Sequence, residues 1–585
     1  MKRPLFQIKT TMNRLKYTLL TLQLLFSSIL LGQEKQNETV GTQQVTVIKS
    51  YTPSLSDVFK IKATPTMNDS LNNQKKLLTY KTLAIPIAST FSPNKATPLR
   101  LQKQKQVKTY NTLLAGGLGN NGQLYFDLST MIKLSRQQSV GMMVFREGYF
   151  LNVNNSQLSS SKWHDYLGFN HANKSKYFRV DSQLSLKSTR DNFFGVIPES
   201  LSTETPYNYN TKPLIIRNSL KFLSDWEWYK STLKELSFQA NSTSDNYSSS
   251  EQHLIINASG RVAKTFSIDL YLEGLNTNFQ KDFEFELKQQ SQMAKVGSTV
   301  QWERLKKKLK LKVGVQLLYF HNEKNSSSAF YYFPKINLSY SKPKSNFISY
   351  LDIGGDLKFN TYETLSTENP YLAPSATLTP TYSKYNARLG IQTNAASAVS
   401  LDLSLGYDNL DNYPQYQRLP YKLNSNFSYR FSNAYEVAYL AINQFDLKAS
   451  TTIDFGNENR FLFSAQYLNY QSKTSSSFLN LPAVTMNFKG QFKVADRFYL
   501  NFKTSFLGDR KAIEWTSGNN EDQQIIQLPA FISAKVNLSY HLSKQWDIFV
   551  KGKLTNSDQH ARWAYFPENN FLILGGIRYK LNLNL

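Results

Sequence analysis

The sequence predicts an all-β protein. It reads as a transmembrane antiparallel β-barrel of the outer-membrane type, with roughly 20–22 strands and a short irregular N-terminal leader. Three observations carry this. Apolar and polar side chains alternate in bursts of about ten residues from near Tyr110 onward. Short polar breaks alternate with long ones between the bursts. Mean hydropathy is −0.44, and beyond the N-terminal region no run approaches the ~18 apolar residues of a spanning helix.

The alternation is clearest at Leu309, Leu311, Val313, Val315, Leu317 and Tyr319, and again at Ile532, Ala534, Val536, Leu538, Tyr540 and Leu542. A period of two puts these residues on one face of a strand and their polar neighbours on the other. Only helices and closed barrels satisfy every backbone group in lipid, so many such strands imply closure. Val399, Leu401, Leu403, Leu405 and Tyr407 form a further strand, as do Phe461, Phe463, Ala465 and Tyr467. The breaks Gly456–Asn459, Val494–Arg497 and Leu542–Gln545 read as periplasmic turns. The breaks Lys187–Lys212, Asp408–Asn424, Gly508–Gln527 and Thr555–Asn569 read as outer loops.

The domain boundaries follow from composition. Residues 1–32 read as a signal peptide. Lys2, Arg3, Lys9, Arg14 and Lys16 precede an apolar run from Tyr17 to Leu31, which ends at Gly32-Gln33. Met12 is a second candidate start. Residues 33–109 form a periplasmic or lumenal leader, interrupted by Pro53, Pro65, Pro86, Pro93 and Pro98. That proline load denies it a sheet interior or a long helix. Residues 110–585 are the barrel.

The formal net charge is +26, of which the signal contributes five basic residues and no acid. The basic residues sit at alternate strand positions rather than in one block. They fit a polar lumen and loops facing outer-membrane lipid and lipopolysaccharide, not nucleic acid. The chain has no cysteine, which removes disulfides, thiolate chemistry and lipid attachment at cysteine. Gly117, Gly119 and Gly122 match G-x-G-x-x-G, but Gln123–Leu128 reads as a strand where a dinucleotide site needs a helix. Asn120-Asn121-Gly122 is predicted to be a hairpin turn. The histidines 164, 171, 253, 321, 541 and 560 lack metal-ligand spacing. No cofactor and no catalytic constellation is expected.

The run Gln44-Val45-Thr46-Val47-Ile48-Lys49-Ser50-Tyr51-Thr52-Pro53-Ser54-Leu55-Ser56-Asp57-Val58-Phe59-Lys60-Ile61 resembles the leader of the small TonB-dependent receptor-like outer-membrane proteins of Bacteroidota. Tyr110–Asn120 resembles their first barrel strand. The closing run Asn569–Leu581 is similar to TonB-dependent receptors in general. The resemblance implies uptake of a nutrient or chelate across the outer membrane, with a plug that is reduced or absent. Val45, Thr46, Val47 and Ile48 are similar to a TonB box, a short segment able to add a strand to a partner's sheet edge. Tyr51, Leu55, Val58, Phe59 and Ile61 are expected to anchor the leader against the barrel. Gly576, Tyr579 and Leu581 resemble the signal read by the barrel assembly machinery.

The loop residues Tyr413, Tyr416, Arg418, Tyr421, Trp515 and Trp563 are candidate ligand contacts. Two other functions remain open from sequence. One is a non-transporting accessory or scaffold subunit of an outer-membrane assembly or secretion complex, which would engage an outer-membrane partner protein instead of TonB. The other is a passive porin. The alternation itself makes a face-specific expectation. Arg at Val313 or Leu403 should block assembly, and Arg at Lys312 or Ser404 should be tolerated, as gel mobility of the unheated barrel would report.

Overall fold

The computed structural model describes residues 110–585 apart from 154, 155, 157, 196–213, 280–288, 307, 325, 342–345, 397, 420–432, 457, 473–476, 516–522, 557–560 and 584–585, and without the side chains of 289 and 394–396. The signal and leader readings, with Val45–Ile48 and Tyr51, Leu55, Val58, Phe59 and Ile61, lie outside the described residues. So do Tyr421 and His560.

The wall begins with β1 (Thr112–Gly119), β2 (Gln123–Lys133), β3 (Gln138–Tyr149), β4 (Lys162–Lys174), β5 (Phe178–Asn192) and β6 (Leu214–Trp228). It continues through β7 (Leu233–Asp245), β8 (Ser250–Ala263), β9 (Phe266–Phe279), β10 (Gln289–Lys306), β11 (Leu309–Asn322) and β12 (Ser327–Ser341). After β13 (Phe347–Lys358) comes a short helix, α1 (Tyr362–Glu368). Then follow β14 (Thr381–Ala396), β15 (Val399–Arg418), β16 (Tyr435–Gly456), β17 (Asn459–Gln471), β18 (Val484–Ala495) and β19 (Phe498–Leu507). The hairpin β20 (Arg510–Trp515) and β21 (Gln523–Leu528) forms a sheet of its own. The wall ends with β22 (Phe531–His541), β23 (Trp546–Thr555) and β24 (Phe571–Leu581).

Wall strands pair antiparallel with their neighbours, and β24 pairs with β1, so 22 strands close on themselves. Asparagines clasp the seam at both ends. The Asn120 side chain accepts from the Ile573 N–H at 2.9 Å and donates to the Phe571 carbonyl at 3.2 Å. At the other end the Asn111 side chain exchanges two hydrogen bonds with the Leu583 backbone, at 2.6 and 2.8 Å. Midway, Gly117 faces Gly576. A β-carbon on Gly576 would strike the Phe549 ring and the Gly116 carbonyl, so the seam needs glycine there.

The predicted hairpin at Asn120–Gly122 is present, with Asn121 and Gly122 at φ 55° and 65°. The predicted turns after β16, β18 and β22 are also turns. Two predicted loops start too early. β5 runs on to Asn192 and β15 to Arg418, so Lys187–Asn192 and Asp408–Arg418 are wall. There the strands rise beyond the apolar belt, both faces turn polar, and the alternation signal ends before the strand does. The third, Gly508–Gln527, holds the β20–β21 hairpin.

Apolar side chains on the outward face stay exposed as a belt, including Val313, Val315, Leu317, Leu403, Leu405, Val536 and Leu538. Their strand neighbours face inward, where Gln316, Leu318 and Phe320 are buried. An exposed apolar ring around a closed sheet is what lipid requires and water disfavours. Ser404 does face inward but packs against Arg388, which donates to its hydroxyl at 3.3 Å and pairs with the buried Asp446 at 3.0 Å. Lys448 also reaches Asp446, at 3.4 Å, so Arg at position 404 would add a third cation there, which makes this position a less clean probe of the faces. Lys312 remains the fair comparison. Val313→Arg should abolish the compact, heat-modifiable form, because a lipid-facing charge near mid-belt costs about 2–4 kcal/mol, whereas Lys312→Arg should keep it. Equal loss in both would contradict the face assignment.

Candidate functional site: the loop cap at the outer mouth

Long loops gather at one end of the barrel and tight turns at the other, which marks the long-loop end as outer. Among the described residues at that end, 193–195, 359–380, 433–434, 508–515, 523–530 and 561–570 fold together. The central one is 359–380, between β13 and β14. Its helix is built locally: Thr361 caps α1, its side chain accepting from the Thr364 N–H while the Thr364 hydroxyl accepts from the Thr361 N–H. The wall completes the cap. The Glu251 carboxylate on β8 accepts from the N–H groups of Tyr362 and Glu363, the free donors of the first turn.

The helix lies against the inner wall. Tyr362, Leu365 and Leu372 share one buried cluster with Leu275, Phe279, Met293, Leu318, Phe320 and Phe333, which sit on β9–β12. Each of these alternates along its strand with outward residues, so the cap enters the lumen rather than resting on the rim. Arg217 on β6 is the main polar anchor. It donates from Nε to the Tyr362 hydroxyl at 3.1 Å and from its two Nη atoms to the carbonyls of Pro370 and Leu372, each at 2.8 Å. Ser249 donates to the Pro374 carbonyl at 2.6 Å. Tyr439 accepts from Thr379 and donates to Thr377, each at 3.0 Å. The Tyr362 hydroxyl also reaches Asp245 at 2.9 Å, and burial raises its pKa.

The other loops join this centre through aromatic rings. Tyr371 stacks on Phe566 at 3.5 Å between centroids, and Phe194 packs edge-on against both. Trp563 packs edge-on against Tyr416 and Tyr435. Arg510 holds residues 561–570 by donating to the carbonyls of Arg562 and Ala561, at 2.6 and 3.2 Å. Burial lowers the Arg510 pKa to about 10, with the neighbouring Arg562 adding to the effect, so it stays charged at neutral pH. Burial alone would raise the Glu568 carboxyl, but Lys553 at 2.6 Å outweighs it and holds the group below its ordinary 4.5. A depressed folded value means that this tether is present above the unfolded pKa and is lost as pH falls through the lower, folded one.

The candidate ligand contacts are reassigned by their burial. Tyr416, Arg418 and Trp563 are buried inside the cap, and Arg418 is fully enclosed. Arg418 donates to the Gly195 carbonyl at 3.2 Å, lies over the Tyr565 ring at 4.5 Å, and offers its own carbonyl to the Trp515 indole at 3.0 Å. In this structure these residues hold loops together. Tyr413 is half-buried, packed on Tyr470. Gly576, Tyr579 and Leu581 lie on β24. Tyr579 packs on Trp546 at 4.5 Å and pairs with Leu114, while Leu581 pairs with Thr112. Sequence reasoning missed Arg217, Glu251 and Asn433, whose side chain donates to the Phe193 carbonyl at 2.6 Å. Their signal is weak: single polar residues near strand ends, with partners up to 240 positions away.

Replacing Arg217 by Met should free the cap. Two buried carbonyls and a buried phenol lose their donor, at a cost of about 2–5 kcal/mol. The barrel should stay heat-modifiable while residues 359–380 become sensitive to protease. Unchanged resistance would remove Arg217 as the anchor.

No protein-family model matches the sequence, and no curated protein sequence matches it. Solved structures do. The FrpB iron transporter of Neisseria meningitidis (F3-3 variant) is 9% identical at a TM-score of 0.57, covering 81% of this chain and 82% of its own. The siderophore receptor PirA of Acinetobacter baumannii is 12% identical at 0.57, covering 82% and 81%. The ferric-catecholate import receptor Fiu of E. coli K12 is 9% identical at 0.57, covering 81% and 82%. At these identities the likeness is one of fold: the closed barrel of this chain is similar to theirs.

Proposed function

We propose that this chain is an outer-membrane uptake receptor of the TonB-dependent type, taking a nutrient or chelate across the outer membrane. The observation that supports it best is the mouth. A 22-strand wall encloses a lumen far wider than side chains can fill, and here its outer end is covered by a folded cap with an aromatic core. A passive pore gains nothing from such a cap, whereas a receptor needs its mouth closed until a ligand binds. Iron and siderophore transport, named for the structural neighbours, makes a scarce metal chelate the first class to test.

Capture falls to outer-facing loop surfaces, and the cap moves before the ligand passes. Energy enters at the periplasmic side, where Val45–Ile48 adds a strand to TonB. Tyr51, Leu55, Val58, Phe59 and Ile61 seat the leader at the barrel as a reduced plug. Gly576, Tyr579 and Leu581 serve insertion by the assembly machinery, and the basic surface meets lipopolysaccharide. The role is transport, not catalysis. The leader resemblance supports a reading of the chain as one of the small receptor-like proteins of Bacteroidota.

Deleting Val45–Ile48 should abolish growth on a scarce iron chelate while leaving chelate binding at the cell surface unchanged. Removing Gln33–Thr109 should leave an assembled barrel that conducts ions in planar bilayers far better than the full chain. Normal growth without Val45–Ile48 would overturn energised uptake. High and equal conductance in both forms would make the protein a porin.

A further inference from the structure

The wall has an interruption between β12 and β13. The two strands pair only over their lower halves, from Ile336 opposite Ile353 to Ser341 opposite Ile348. Above that, Ser327–Lys335 pairs with β11 on one side and, among the described residues, with no strand on the other. β13 turns away at Gly354–Gly355, where its register with β14 slips, and continues beside β14 alone. A β-carbon on Gly355 would strike the Phe333 ring, so glycine lets β13 pass behind that ring. The carbonyls of Gly355 and Leu357 accept from Lys335 Nζ and Lys295 Nζ, each at 2.7 Å. Lysines therefore occupy the β13 edge, and among the described residues no strand pairs with the upper β12 edge.

The bare edge has a definite pattern. The Ser341 N–H bonds to the Lys308 carbonyl on the β11 side. By antiparallel alternation, odd-numbered backbone groups of β12 face β11 and even-numbered ones face the gap. The gap thus presents the N–H and C=O groups of Ser328, Phe330 and Tyr332, and the C=O of Pro334, which has no N–H. These positions lie level with the upper belt: Phe330 is opposite Tyr319, Tyr332 opposite Leu317 and Pro334 opposite Val315. The Phe330 and Tyr332 side chains are 82% and 80% exposed, more than any other large apolar residue described. Tyr331, Phe333 and Tyr382 pack together behind the gap, with centroids 4.9–6.2 Å apart, so it does not lead into the lumen.

We infer that the upper edge of β12, Ser328–Pro334, is a docking site for an extended segment of a second protein at the outer surface, added as an antiparallel strand. Lipid chains offer no partner for a row of backbone donors and acceptors, and open sheet edges do not persist in hydrocarbon; a peptide strand supplies both. The gap is closed below by the Ile336–Ile353 pairing, so the segment enters from outside. Pairing ends at Pro334, which cannot donate. A second copy of this chain does not fit. Inserted in the same orientation, its β12 would run in the parallel sense and cross the first at about 70–90°, given strand tilts of about 35–45°. The docked segment carries apolar or β-branched side chains beside Phe330 and Tyr332.

The test uses the full chain in its native outer membrane. A photo-crosslinking benzophenone placed at Tyr332 should give one discrete protein adduct, and the same probe at Tyr340, below the gap, should give none. Phe330→Pro, which removes an edge N–H, should lower the adduct at least 10-fold, while Phe330→Ala, which keeps it, should not. If Phe330→Pro fails to assemble, amide hydrogen exchange decides. The amides of Ser328, Phe330 and Tyr332 should exchange at least 10-fold more slowly in native membranes than in the purified protein, with Ile336–Ser341 alike in both. Adducts only to lipid or to a second copy, an adduct indifferent to Phe330→Pro, or equal exchange in both preparations would overturn the proposal.

Discussion

Every backbone N–H and C=O that lies in lipid must find a partner inside the protein, and that single constraint organises this molecule. It demands a closed sheet, and closure demands that β24 meet β1 in register although their residues lie more than 450 positions apart in the chain. The seam solves this with asparagines at both ends and facing glycines in the middle. Asparagine suits the ends because one amide both donates and accepts, so it pairs with a strand backbone as another strand would. Glycine suits the middle because Phe549 occupies the space a side chain would need.

The same constraint explains the polar contacts that accompany the apolar packing of the cap on the wall. The irregular segment 359–380 carries carbonyls that lie outside the strand ladder and need donors from elsewhere. Arg217, Ser249 and Tyr439 supply donors, and Glu251 answers the N–H groups of the helix start. With the backbone satisfied, rings such as Tyr371, Phe566 and Trp563 exclude water between loops. The cap therefore shares one buried core with the inner wall and is fixed inside the mouth by wall side chains.

How much of this was legible depended on what each residue faces. The belt strands β11 and β22 were readable because one face meets lipid and the other water or the lumen interior. Asp408–Arg418 was misread because above the belt both faces of a strand accept polar residues, and it then looks like a loop. Tyr416, Arg418 and Trp563 were noticed, but exposure cannot be read from residue type; their burial depends on loops more than 100 positions apart. The interruption at β12 left only faint marks, a proline at 334 and the pair Gly354-Gly355, which are also common in ordinary turns. The leader motif, the clearest link between sequence and family, lies outside the described residues.

The wall also differs in height around its circumference. β16 has 22 residues and β23 has 10. At about 3.3 Å per residue and about 45° of tilt, the first rises roughly 50 Å and the second roughly 23 Å, close to the ~25 Å of the belt itself. The loops that follow β19 and β23 spring from the low side, and their Trp515, Trp563 and Tyr565 come to rest on residues at the top of β15 and β16. They bridge the step in the wall as a rafter does, rooted on the low side and propped at the tip by the tall one, so the seal over the low strands depends on side chains at the top of β15 and β16.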